Sequence, residues 1–308
     1  MPKHSFGLLD VTVKKLNAKK NPNRLLHDFT GSGDDLLTVF HDFLANVIGA
    51  GKACKEQKYI TVIDVETKGR VVWFQVQVGR WGLPGRVVDT SSHSSAYQIR
   101  TQDAPVYDIR GALIVPILGE NGLLAAEVVG NHSFLGTLWP EFADWFQTKY
   151  TAPERLSPRA TTSVESPAWT KYLEEASLRS VTFTSYQRSS DRAKRVQARD
   201  WVIRGMRNEM LPKSWIGKLA KERLSPKAVV TDIPTGFEPE ETKIEMDGPG
   251  GRKTIVIEKD FPRFLYQLSD ETEPAPTNDE FRTEVLSEAS ATLSAMGLDP
   301  AQVLAGAH

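Results

Sequence analysis

The chain has 308 residues, of which 40% are hydrophobic and 25% are charged, and its formal net charge is −1 at pH 7. These values are ordinary for a globular protein and allow one large domain or two smaller ones. The single cysteine, Cys54, excludes an intramolecular disulfide, and the sequence shows neither a signal peptide nor the roughly 20 apolar residues that span a bilayer. We therefore expect a cytoplasmic protein.

The first 150 residues predict an α+β domain rich in antiparallel strands. Short β-branched runs indicate the strands, and apolar residues at helical spacing indicate the helices. The predicted strands lie at residues 6–13, 59–65, 70–78, 111–117 and 123–129, and the predicted helices lie at 34–48 and 139–150. A hairpin turn at 66–69 is expected to join the second and third of these strands.

The rest of the chain predicts a hinge followed by a second part. Residues 151–168 are rich in Pro, Ser and Thr, which is typical of a linker. A basic α+β domain is expected at 169–275, and a C-terminal helix within 276–308. The predicted strands lie at 179–186, 228–233, 242–246 and 253–259, and the predicted helices lie at 169–177 and 281–296.

Residues 178–227 form a strongly basic segment. They contain thirteen Lys and Arg residues against four Asp and Glu residues, a net charge of +9 in a chain whose total is −1. Residues 228–308 compensate with a net charge of −10, from six basic and sixteen acidic residues. This polarity is typical of nucleic-acid binding, of self-association or of mutual solvation.

The strand at 179–186 leads into a predicted basic helix. Residues 189–191 suit the start of a helix, and Pro212 suits its end. At helical spacing, Arg192, Arg195 and Arg199 line one side of the first half, and apolar residues continue that side in the second half. We therefore expect an arm that projects at its basic end. The overall prediction is an α+β protein of two parts, with antiparallel sheets, flanking helices and a basic helix after a central strand.

The basic segment is predicted to contact DNA phosphates. In the predicted helix Arg outnumbers Lys, acidic partners at i,i+4 are scarce, and the positive charge continues into a second short helix after Pro212. No base-reading motif is present, so we expect binding to duplex DNA largely without sequence preference. The predicted DNA-binding residues are Arg188, Arg192, Lys194, Arg195, Arg199, Arg204, Arg207, Lys218 and Lys221. A solvated surface helix is the alternative at this point.

Patterns that would indicate catalysis or metal binding are weak. On a strand, Asp64, Glu66 and Lys68 would share one face, as in metal-dependent nucleases of the restriction-enzyme type, but an exposed hairpin turn at 66–69 accounts for the same residues. The histidines lack the spacing of a metal site, and residues 49–52 lack that of a phosphate-binding loop. The sequence predicts no catalytic residue, metal or cofactor. The alternatives are a nuclease that uses these three residues, or an interaction module that does not bind DNA.

The order of the elements resembles that of the RexA family of phage superinfection-exclusion proteins. The resemblance covers most of the chain and includes the helix around 41–46, the strands of 59–78, the strand at 181–186 that feeds the basic residues 191–200, and the final helix. It implies a prophage-encoded, cytoplasmic homodimer that binds DNA, in which one part swivels against the other. It also implies that the protein senses a phage protein–DNA complex and signals to a RexB-like membrane channel, which aborts a second infection.

Overall fold

The first strand, β1 (His4–Lys15), lies between strands from the N-terminal half and strands from the C-terminal half of the chain in one sheet. A computed structural model describes residues 3–16, 23–47, 49, 51–151, 154–162, 176–188, 196–205, 210–212, 215, 241–248, 251–258, 262–269 and 272–307. One edge of β1 pairs with β8 (Gly122–Val129). The other edge pairs first with β14 (Pro262–Ser269) and then with β9 (Leu156–Thr162).

The remaining elements are antiparallel strands and a few helices. The other strands are β2 (Lys52–Cys54), β3 (Lys58–Lys68), β4 (Val71–Arg80), β5 (Gly85–Val88), β6 (Ser95–Ile99), β7 (Val106–Ile114), β10 (Ser177–Arg188), β11 (Val196–Arg204), β12 (Glu241–Gly248) and β13 (Gly251–Glu258). The helices are α1 (Leu36–Val47), α2 (Leu138–Lys149), α3 (Asn278–Ala295) and α4 (Pro300–Val303), and one 3-10 turn spans Lys55–Gln57.

Among the described residues, twelve strands form one curled sheet in the order β11-β10-β12-β13-β14-β1-β8-β7-β4-β3-β2, with β9 beside β1. Strands β5 and β6 pair separately as a hairpin. The α+β class predicted from the sequence is confirmed, as are the antiparallel pairing and the helices that flank the sheet.

The central strands are buried on both faces, so the sheet separates two apolar cores. Side chains alternate between the faces of a strand. In β1, Val11 and Val13 therefore join the core under α1 and α2, whereas Phe6 and Leu8 join the core under α3 and α4. Each core needs a helical cover because neither apolar face can be left in water.

The predicted basic helix is wrong where the structure describes it. Residues 196–204 form β11, which pairs residue by residue with β10 from Arg188↔Val196 to Ser180↔Arg204. Trp201, Val202 and Ile203 have high β propensity, and the hydrogen bonds of the ladder decide the conformation. Met210, which was expected to be one of the apolar residues that bury the second half of the helix, is 53% exposed. Residues 191–195 and 206–209 lie outside the described residues, as do the strand predicted at 228–233 and most of the second short helix.

The predicted linker is also wrong over its central part. Residues 156–162 form β9, which pairs with β1 from Leu9↔Thr162 to Lys15↔Leu156. Leu156 is 4% exposed and belongs to the core under α1 and α2. Its burial and the β1 ladder order a stretch whose Pro and Ser content indicated a hinge. Residues 163–168 lie outside the described part of the chain, so the division into two parts remains a prediction.

Candidate functional site

The β10–β11 hairpin carries the described part of the basic segment. Strand β11 is the last strand in the sheet order, so the hairpin forms one end of the twelve-stranded sheet. The ladder closes at Arg188↔Val196, which places the two strand ends side by side where the chain passes from one strand to the other.

Five of the nine predicted DNA-binding residues lie within twelve residues of sequence around that point. Residues 188–199 contain five cations and one acid, a net charge of +4. Arg188 ends β10, and Arg199 lies in β11 opposite Ser185. Arg204, at the far end of β11, is exposed. The other predicted residues lie outside the described part of the chain: Arg192, Lys194, Arg195, Arg207, Lys218 and Lys221.

One face of the hairpin is apolar. Val181 and Phe183 of β10 are fully buried, and their partners in β11 are Ile203 and Trp201. Because directly opposed residues share a face, this side of the hairpin belongs to the protein interior.

The opposite face mixes cations with acids. Thr184 donates a hydrogen bond of 2.7 Å to Asp200, and Ser180 donates one of 2.9 Å to Glu245. Arg179, near the start of β10, forms an ion pair of 3.2 Å with Asp247. Acidic side chains therefore accompany the positive charge along the described strands, and in the sequence the excess of cations falls within residues 188–199.

The candidate nuclease residues lie on β3 rather than in a turn. The β3–β4 ladder extends to Lys68↔Val71, so the turn consists of Gly69 and Arg70 and the turn predicted at 66–69 is misplaced. Gly69 has a φ of +55°, which favours glycine. The strand β4 starts within one residue of its predicted position, whereas β3 continues three residues beyond its predicted end. The ladder is therefore longer than expected.

Glu66 is engaged by two cations. Arg282 of α3 donates a hydrogen bond of 2.8 Å to it, and Lys68 lies 3.5 Å away. These partners, Arg282 first, hold the pKa of Glu66 below its usual value. Asp64 is exposed on the same strand and lines a small cleft with Arg110 and Arg282. The part of the chain that the structure describes contains no group of three His, Cys, Asp or Glu residues placed to hold a metal ion.

A buried ionic network lies beside that cleft. Glu127 of β8 is 1% exposed. Its Oε2 accepts two hydrogen bonds from Arg110, one from the backbone amide and one from the side-chain Nε, each of 2.9 Å. His4 Nδ1 lies 3.0 Å from the other oxygen. Burial would raise the pKa of Glu127, but the hydrogen bonds and charge of Arg110 outweigh it, so the pKa is lowered.

The same arginine fixes the start of α3. Its Nη1 donates to the carbonyl oxygens of Pro276 and Thr277 at 2.9 and 2.8 Å, and its guanidinium lies 4.7 Å from the centre of the Phe281 ring. Sequence reasoning missed this network. A single acid within the apolar run of β8 was the available signal, since a buried carboxylate requires a cationic or hydrogen-bonding partner.

No helix within the described ranges is both long enough and apolar enough to cross a membrane. Comparison of the chain with models of protein families, with curated proteins and with solved structures found no match.

Proposed function

We propose that this protein binds duplex DNA, largely without sequence preference, through the cations around the connection between β10 and β11. The observation that carries the proposal is the ladder closure at Arg188↔Val196. Paired residues of an antiparallel ladder lie about 5 Å apart. In the sequence, residues 188–199, which include both strand ends and the seven residues between them, contain five cations.

A hairpin with this charge suits the DNA backbone. A two-stranded β-ribbon is narrow enough for the major groove, which is about 12 Å wide, and several DNA-binding proteins read grooves with strands. Arginine binds phosphate oxygens in a bidentate manner that the rounder ammonium of lysine does not match. The structure therefore has a β10–β11 hairpin where the sequence predicted a helix, and the predicted cations Arg188 and Arg199 lie on its two strands.

The resemblance to the RexA family supports a biological setting for this activity. We infer a cytoplasmic homodimer, encoded by a prophage, that recognises a phage protein–DNA complex. It would then signal to a RexB-like membrane channel and abort the second infection. Of these steps, DNA binding is the one that can be tested with the purified protein.

The test reverses two hairpin charges outside both strands. Arg192→Glu with Arg195→Glu changes the net charge by −4 and leaves the paired residues unaltered. The matched control is Lys55→Glu with Arg86→Glu, which has the same charge change at two exposed positions. Fluorescence anisotropy with a labelled 30-base-pair duplex should show an affinity loss of about tenfold or more for the hairpin variant. Equal affinity in the two variants would refute the proposal.

A metal-dependent nuclease is the second candidate, because Asp64 and Glu66 do lie on one strand. The two cations that hold Glu66 disfavour it, since a metal ion would have to displace them. Plasmid incubated with Mg²⁺ or Mn²⁺ decides the matter. Cleavage by the wild-type protein that Asp64→Ala and Glu66→Ala each abolish would establish the nuclease.

A further inference from the structure

The β5–β6 hairpin forms one wall of a cleft, which we name the β5–β6 cleft. Val87 is paired with Tyr97, and Ile99 lies two residues further along β6, so these three side chains share one face of the hairpin. All three line the cleft. At the base of the hairpin, the Gly82 amide donates a hydrogen bond of 2.8 Å to the carbonyl oxygen of Thr101. One face of the hairpin is therefore directed into the cleft from a hydrogen-bonded base.

The opposite wall of the cleft is one face of the large sheet. In the two ladders of β4, Gly79 is paired with Tyr59 of β3 and with Val106 of β7. Gln77 lies two residues from Gly79 and therefore on the same face. Tyr59, Gln77 and Val106 line the cleft. The cleft thus lies between two β layers, the hairpin on one side and the ends of β3, β4 and β7 on the other.

The two layers face each other without packing together. Layers that pack lie about 10 Å apart, and their facing side chains fill the space between them. Here Val87 and Tyr97 remain 46% and 50% exposed, and Val106 on the opposite wall remains 38% exposed. The cleft has a volume of about 710 Å³, whereas pockets for small molecules usually have volumes of about 300–1,000 Å³. The apolar side chains of both walls are therefore available to a ligand of that size.

Hydrogen bonds hold several side chains of the cleft in place. The Tyr97 hydroxyl donates to Asp103 at 2.7 Å, and the Arg100 guanidinium donates to the other oxygen of the same carboxylate at 3.0 Å. On the sheet, Gln77 donates from Nε2 to Asp108 at 2.8 Å. A site whose side chains are already positioned loses less conformational entropy when a ligand binds.

The charge of the lining argues against an anionic ligand. Among the residues that the structure describes, the lining contains no Lys, Arg or His. Its one acid, Asp103, forms an ion pair of 3.0 Å with Arg100, so the two charges offset each other. A phosphate or carboxylate in the cleft would lose its hydration without gaining a cationic partner.

The uncharged part of the lining indicates the class of ligand. It is mostly aliphatic and aromatic, and Tyr59, Trp81 and Tyr97 supply three rings. Aromatic rings of a ligand pack favourably against such side chains. The carboxamides of Gln77 and Gln102 add neutral hydrogen-bonding groups. Small-molecule sites typically combine an apolar lining with a few polar groups of this kind, which fix the orientation of the ligand.

We propose that the β5–β6 cleft binds a neutral, largely apolar small molecule that contains a ring system. The ligand lies between Val87 and Tyr97 on the hairpin and Tyr59 on the large sheet. This site goes beyond the proposed DNA binding in both position and ligand, because a cleft without cations in its described lining does not suit a polyanion.

The test titrates the full chain with two fluorescent probes that share the same rings and differ in charge. N-phenylnaphthylamine is neutral, anilinonaphthalenesulfonate carries an added sulfonate, and both fluoresce more strongly in apolar surroundings. We expect the neutral probe to bind saturably at one site per chain. The sulfonate should bind that site more weakly, because no cation in the described lining offsets its charge.

The decisive variant is Val87→Glu, and its matched control is Val88→Glu. Both valines are 46% exposed on β5, but only Val87 lines the cleft. Val87→Glu places a carboxylate against the apolar ligand and should lower the affinity for the neutral probe by about tenfold or more. Val88→Glu should bind the probe like the wild type. Ala104→Trp, which fills the cleft from another lining position, should also lose affinity, and thermal unfolding monitors the fold of each variant.

Three results would overturn the proposal. The first is equal affinity of Val87→Glu and Val88→Glu for the neutral probe, or no saturable binding by the wild type. The second is tighter binding of the sulfonate at a site that Val87→Glu weakens, which would make the ligand anionic. The third is a cleft filled by a second copy of the chain: sedimentation velocity would then show a dimer that Val87→Glu, but not Val88→Glu, dissociates, and the neutral probe would not bind.

Discussion

Removal of Arg110 should destabilise the protein far more than removal of a second arginine that also links the sheet to α3. In Arg110→Met, Glu127 loses its guanidinium partner while it remains 1% exposed. Loss of one member of a buried ion pair typically costs about 3–5 kcal/mol, because the other charge stays buried without compensation. The carbonyl oxygens before α3 and the Phe281 ring lose their contacts as well.

The matched control is Arg282→Met. Arg282 also joins α3 to the sheet, through Glu66 and the ring of Trp73 at 5.2 Å, but the side chain of Glu66 is 41% exposed. Exposed ion pairs contribute about 0–1 kcal/mol, and a cation–π contact at such a site contributes roughly 0.5–1 kcal/mol. We therefore expect this variant to lose no more than about 2 kcal/mol.

Urea unfolding followed by circular dichroism measures the difference. With a denaturant dependence of about 2–3 kcal/mol per molar, the midpoint of Arg110→Met should fall by roughly 1 M or more. Arg110→Met with Glu127→Leu removes both charges and should recover at least half of the loss, because apolar replacement of a whole buried pair is often neutral. Equal midpoints for the two single variants, or no recovery in the double variant, would refute this account of the buried network.

Two further predictions concern titrating groups. The pKa of Glu127 is lowered in the folded state, so the stability that it contributes is present above the unfolded pKa of about 4.3 and is lost as the pH falls through the folded pKa. The difference in unfolding free energy between wild type and Glu127→Gln should therefore shrink below about pH 4. A constant difference from pH 3 to 7 would contradict this. Burial, with the charge of Glu141, raises the pKa of Cys54 to about 11, so the rate of alkylation by iodoacetamide should rise about tenfold per pH unit between pH 7 and 9.5. A rate that levels off near pH 8.5 would show an ordinary thiol instead.

The sequence predicted the longer N-terminal elements because each has a strong local signal, but it did not predict β2, β5 or β6. The apolar residues of α1 recur at helical spacing, and the β-branched runs of β3 and β4 lie on both sides of a glycine turn. The helix α3 was predicted over 281–296 and begins at Asn278, with Thr277 as its cap. Thr277 and Glu280 form a capping box, whose Thr-x-x-Glu pattern was present in the sequence and fixes the start three residues earlier than predicted.

Two elements that the sequence did not predict, β9 and β11, are decided by their pairing with another strand. The strand β9 contains Pro158 and lies in a Pro- and Ser-rich stretch, and only its ladder with β1 makes it a strand. The strand β11 has apolar residues that also fit a helix over a short span, and its pairing with β10 decides between the two. The cations of residues 188–199 are already grouped in the sequence, but the pairing of Arg188 with Val196 could be known only from the strand register.

The measurement that tests the central claim most directly is the binding of the wild-type protein to a duplex of random sequence across a salt series. If the five cations of residues 188–199 contact DNA phosphates, the logarithm of the association constant K should fall linearly with the logarithm of the salt concentration, with a slope of about −4 or steeper. In the Arg192→Glu, Arg195→Glu variant, the magnitude of that slope should be lower by about 1.8. No measurable binding at low salt, or an affinity that does not change with salt, would contradict the claim that this is a DNA-binding protein.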